Sequence, residues 1–110
     1  MLNSTEKMIF DELSTRARSS FGNVVSDIDK DVSPTMAMLS QNLVVIGRRL
    51  ATGDYTKQDA DDEIEAQVYA AASVIVRFAN EVLTQIQAML NAILSAAAAV
   101  VNRAVGVALL

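Results

Sequence analysis

Residues 68–100 read VYAAASVIVRFANEVLTQIQAMLNAILSAAAAV. Within them Val68, Ala72, Ile75, Ala79, Val82, Ile86, Met89, Ile93, Ala96 and Val100 follow one another at alternating spacings of four and three. A seam of this kind keeps one apolar edge of a helix turned toward a partner. No proline occurs between Lys57 and Leu110, and Gly106 is the only glycine there. The spacing predicts one long C-terminal helix within 54–110. Past Leu90 the other faces turn apolar as well, so the end of this helix needs cover.

Upstream of the seam, Gly53-Asp54-Tyr55 makes a turn and Thr56 stands three residues ahead of Asp59. That is a near-match to a capping box, with Asp61, Asp62 and Glu63 adding negative charge to the first turns. Before the turn, Met36, Leu39, Leu43, Ile46 and Leu50 recur at helical spacing and predict a second helix over about 34–51. Ser33 and Pro34 mark its start, and Arg48 and Arg49 suit the carbonyl end of its dipole. A turn this short predicts an antiparallel hairpin. Still earlier, Ile9, Leu13, Ala17, Phe21, Val24 and Ile28 form a stripe that predicts a first helix over about 5–31, bent at Gly22 and capped by Ser4 or Thr5.

Composition agrees with an all-helical protein. Of 110 residues, 52 % are hydrophobic but only 5 % aromatic, with four glycines and one proline. The expected fold is all-α and a single structural domain. Residues 1–53 hold the two N-terminal helices; the second forms a helical hairpin with the C-terminal helix, and the first is an added N-terminal helix. The long C-terminal helix, 54–110, packs in an oligomeric bundle or ring.

Length carries that expectation. At 1.5 Å per residue a helix from Lys57 to Leu110 is about 80 Å long, against about 27 Å for the second helix and about 40 Å for the first. The far half would have no partner within its own chain. Leaving it in water would expose an apolar patch larger than the few hundred Å² usual for soluble monomers. The residues assigned to an oligomer interface are therefore Val68, Ile75, Val82, Ile86, Met89, Leu90, Ile93, Leu94, Val100, Val101 and Val107. Two other outcomes would satisfy the same surface. The helix could break near Asn91 or Ser95 and fold back as a four-helix bundle, or it could enter a bilayer. Against the bilayer, Asn102-Arg103 interrupts the apolar run before it reaches the roughly 20 residues of a spanning helix.

The chain carries no cysteine and no histidine, which removes thiol chemistry, the commonest general base and the commonest transition-metal ligand. A formal net charge of −4, with the basic residues scattered, argues against nucleic-acid binding. Met1 to Phe10 carries Glu6 and Lys7 and lacks the apolar run of a secretory signal. From Asp54 to Glu65 the spacing resembles a calcium loop in its first and twelfth positions, but Asp59 takes the place of the required glycine. No cofactor, metal or catalytic residue is assigned, and the chain is expected not to be an enzyme.

The expected role is a self-assembling structural subunit whose partners are its own copies and other proteins of a larger assembly. Small size, the missing Cys and His and the alanine-rich tail suggest a virion or intracellular assembly, such as a phage tail or injection conduit. The alternatives are a membrane-inserting protein of pore-forming or holin-like type, and an adaptor whose C-terminal helix binds a different protein. If the seam is the interface, an Ile93→Asp change lowers the assembly state, as light scattering would show.

Overall fold

The chain leaves helical geometry after Ile75 and re-enters it at Leu83, so the heptad seam is divided between two helices. A computed structural model describes residues 2–110. Its helices are α1 (Ser4–Phe21), the short α2 (Ile28–Asp31), α3 (Ser33–Ala51), α4 (Lys57–Ile75) and α5 (Leu83–Val105). Among the described residues there is no strand. A single antiparallel bridge joins Val25 to Ala79.

The four long helices form a closed square. Helix α1 packs on α3 and α5, and α4 also packs on α3 and α5, while α3 meets α5 across the diagonal. The turns at 22–27 and 76–82 lie together at one end. The α3–α4 turn and the segment after α5 lie at the other, where Lys57 Nζ donates to the Leu109 carbonyl at 2.6 Å. The molecule measures 40 × 26 × 22 Å. A continuous helix of about 80 Å has no place in it.

The expected single C-terminal helix is thus corrected to a pair, and the reason lies in α1. Ile9, Leu13, Ala17 and Phe21 on α1 join Ile86, Leu90, Ile93, Leu94 and Val101 on α5 in one core. Each large apolar side chain gains about 1.5–3 kcal/mol on full burial. Breaking a helix forgoes a few hydrogen bonds with a net worth of about 1 kcal/mol each. Burial wins, and α5 finds its cover within its own chain. The break falls at 76–82 and not at Asn91 or Ser95, because a turn there leaves all of α5 beside α1.

Local signals set the other boundaries. Asn3, one residue earlier than expected, caps α1 through Glu6 N at 2.8 Å, and Glu6 Oε1 accepts from Asn3 N at 3.0 Å. Thr56 and Asp59 make the reciprocal pair at α4, at 3.1 and 3.0 Å. Gly53 ends α3 with φ +84°, a conformation glycine adopts without a Cβ clash. Pro34 sits in the first turn of α3, although Ser33 is itself helical and supplies no cap. The expected first helix stops at Phe21, after which 22–27 turn the chain toward α3.

Gly47 has a packing role. A Cβ built there would lie 2.8 Å from the Val105 Cβ, so its absence lets α3 and the last turn of α5 approach across the diagonal. Alanine at an ordinary helix position gains about 1 kcal/mol over glycine, whereas overpacking typically costs 1–3 kcal/mol. Gly47→Ala should lower stability by up to about 2 kcal/mol in urea unfolding, and adding Val105→Ala should not restore it fully, because the nearest atom is the Val105 Cβ itself. A stabilised single variant would mean that the two helices do not touch at this point.

Candidate functional site: the outer face of α3 and α4

The positions expected at an interface between copies divide in the structure. Val68, Ile75, Ile86, Leu90, Ile93, Leu94 and Val101 are buried in the chain's own core. Met89 and Val107 pack partly buried against it, and Val100 is half-buried. Val82 is exposed, at 60 %. In this closed form the seam is occupied within the chain, because α1 supplies the partner that sequence length alone left out.

The acidic stretch Asp54 to Glu65 is engaged with its own helix start. Asp59 caps α4, Asp61 pairs with Lys57 at 2.8 Å, and Asp62 accepts from Gln58 at 2.9 Å. Among the described residues no three acidic side chains gather closely enough to hold a metal ion.

A different surface emerges once the core is accounted for. No charged residue occurs between Asp31 and Arg48 on α3, between Glu65 and Arg77 on α4, or between Glu81 and Arg103 on α5. Charge lies on α1, α2 and the turns, on the first half of α4 (Lys57 to Glu65) and in the last turns of α3 and α5 (Arg48, Arg49 and Arg103). A helix face turned to water usually carries Lys, Arg, Asp or Glu opposite its apolar stripe. Here three neighbouring helices do without them over most of their length.

Between α3 and α4 this surface is concave. Pro34, Met38 and Asn42 face Gln67, Ala70 and Val74 across a groove of about 290 Å³. The alanines at 70 and 71 are the cause, since side chains of that size leave the space above Leu39 unfilled. Asn42 Nδ2 donates to Gln67 Oε1 at 2.5 Å and closes one end with a polar pair. Met38 is 64 % exposed and Val74 37 %. Beyond the groove, Val45, Tyr69, Phe78 and Val82 are also exposed. Of the large hydrophobic side chains open to solvent, Met8 on α1 alone lies away from α3, α4 and the turn that follows them. Chemically this face can exclude water from an apolar partner, and its groove lies just under the 300–1,000 Å³ of typical small-ligand pockets.

Sequence reasoning missed this face because it followed apolar periodicity, which marks whatever is buried. The signal that finds it is the lack of charge along 32–47 and 66–76. Helix α5 differs in character. It is long and apolar enough to cross a membrane, with a mean hydropathy of 1.5, but its exposed positions are mainly small: Ala88, Ala92, Ser95, Ala96 and Ala99.

These placements change what Ile93→Asp reports. Ile93 is 2 % exposed, and an unpaired carboxylate there would cost several kcal/mol. The variant should lose helical circular dichroism and cooperative melting, not merely dissociate. A folded Ile93→Asp protein would place that side chain outside the core. No family model matches the chain, and no curated protein or solved structure matches it either.

Proposed function

We propose that the chain is a non-enzymatic structural subunit that assembles with its own copies, and with other proteins of a larger particle, through the outer face of α3 and α4. The observation that carries this reading is the coincidence of two properties on one surface. Met38, Val45 and Val74 are exposed there, with Phe78 and Val82 exposed in the turn that follows α4, and no charged residue lies on α3 before Arg48 or on α4 after Glu65. Depletion of charge, with Met and aromatic side chains enriched, is what separates the centre of a protein interface from ordinary surface. The groove supplies the concave element into which a side chain of a partner can pack, as buried anchors do at interface hot spots. A phage particle is the setting suggested by composition alone, and the bundle adds no feature specific to it.

A second reading is that α5 enters a lipid bilayer. It is favoured by the length and hydropathy of Leu83–Val105 and by an outer face that carries no charge before Arg103. Opening the bundle would then release the apolar side now packed on α1. Co-flotation of the full chain with neutral and anionic liposomes would mark this reading.

Size-exclusion chromatography with light scattering on the full chain in detergent-free buffer tests the first reading. The expected result is a discrete oligomer at micromolar concentration. Val74→Glu places a charge in the groove and should weaken association by at least about tenfold, or ~1.4 kcal/mol, with the melting temperature little changed. A monomer at every concentration overturns self-assembly. An oligomer indifferent to Val74→Glu moves the interface elsewhere.

A further inference from the structure

We propose that copies of the chain exchange α5, so that α4 and α5 fuse into one helix and each α5 completes the bundle of a second copy. The proposal rests on the reading that copies self-associate. Its evidence is the turn at 76–82.

That turn is made from residues that do not require one. Val76-Arg77-Phe78-Ala79-Asn80-Glu81-Val82 contains no glycine and no proline. None of these residues has a positive φ; among the described residues, positive values occur only at Gly53 and Gly106. By contrast, the α3–α4 turn is fixed by Gly53 and by the full capping box at Thr56 and Asp59. Entry into α5 is weakly secured. Val82 offers no capping oxygen, and its amide reaches Gln85 Oε1 only at 3.4 Å. On the other side, α4 unwinds through Arg77 N to the Val74 carbonyl at 3.3 Å and Phe78 N to the Ile75 carbonyl at 2.9 Å. The turn is tied to the rest of the molecule by the bridge from Val25 to Ala79 and by Val76 and Ala79, which pack partly buried on the core.

Both states of this segment are therefore locally acceptable, and the heptad spacing Ile75, Ala79, Val82, Ile86 passes through it without a skip. Straightened, residues 57–105 make a helix of about 73 Å. Two bundles stacked at their turn ends span about twice the 40 Å long axis of one, which such a helix fits. It would occupy the α4 position in one bundle and the α5 position in the other. Every core contact of α5 is then made again, in the second copy. Two fused helices lie antiparallel about the twofold axis, with Ala79 and Val82 meeting at its centre. Val82 and Phe78, exposed at 60 % and 46 % in the closed chain, gain cover at that crossing. Exchange of an identical element between protomers is a low-cost route to a dimer because little new surface has to be invented.

The chain's lack of cysteine makes the test direct. Ser19→Cys and Ala92→Cys introduce two thiols at exposed positions flanking the α1–α5 groove, opposite the α3–α4 face. The protein is refolded at high concentration, its dimer is isolated by size exclusion, treated with a short bismaleimide and run on a denaturing gel. The expected product is a covalent dimer. A dimer that crosslinks only within each chain overturns exchange and leaves assembly through outer faces standing. A chain that stays monomeric overturns both. A second variant, Ala79→Gly with Asn80→Gly, disfavours the continuous helix in each chain by a factor of about five at the first position and about two at the second. It should lower the covalent dimer by at least roughly tenfold, and an unchanged yield would count against fusion of α4 and α5.

Discussion

Everything in this molecule depends on α5 closing against α1. Together with α3 and α4, this contact covers the apolar sides of both helices within the chain. The stripe Ile9, Leu13, Ala17 and Phe21 and the stripe Ile86, Leu90, Ile93 and Val101 are all buried to within a few per cent. They come from opposite ends of the sequence, so their contact closes a long loop whose entropic cost grows only slowly with length. That contact turns a hairpin with two loose flanks into a square of four helices. It also decides which surfaces are left over, and those leftover surfaces are where function has to be sought.

Much of this architecture was legible in the sequence. Pro34, Gly53 and the Thr56–Asp59 pair each act through local geometry, so the α3–α4 hairpin appears where they place it. The division at 76–82 was not legible for a physical reason. A heptad seam states that an apolar edge needs a partner, but it is silent on whether that partner lies in the same chain. Seven of the eleven expected interface residues are consequently buried in the chain's own core, Met89, Val100 and Val107 are partly buried, and Val82 is exposed. The start of α1 differs more simply: Asn3, Ser4 and Thr5 can all cap, and Asn3 does. The α3–α4 face is written in the sequence as absence, in two long runs without charge, and periodicity does not register absences.

The uncharged helices also explain the balance of forces in the fold. With charge kept to α1, α2, the turns and the adjoining ends of α3, α4 and α5, ion pairs are peripheral. Arg18 meets Asp29 at 2.8 Å, but both side chains are more than half exposed, and such pairs contribute at most about 1 kcal/mol. Stability here is a matter of aliphatic packing, tight enough that Gly47 must lack a side chain to admit Val105. A bundle held in this way responds weakly to salt and strongly to any change of volume in its centre.

The distribution of aromatic side chains has an optical consequence. There is no tryptophan, and neither tyrosine belongs to the buried centre. Tyr55 lies in the α3–α4 turn with the Arg49 guanidinium 5.4 Å from its ring centroid, and Tyr69 is 55 % exposed on α4. The buried centre has Phe21 as its aromatic residue. Ultraviolet absorption and intrinsic fluorescence of this protein are therefore signals from its rim. They register what touches α4 and how the turn is held, while the interior that folds around α5 stays nearly dark.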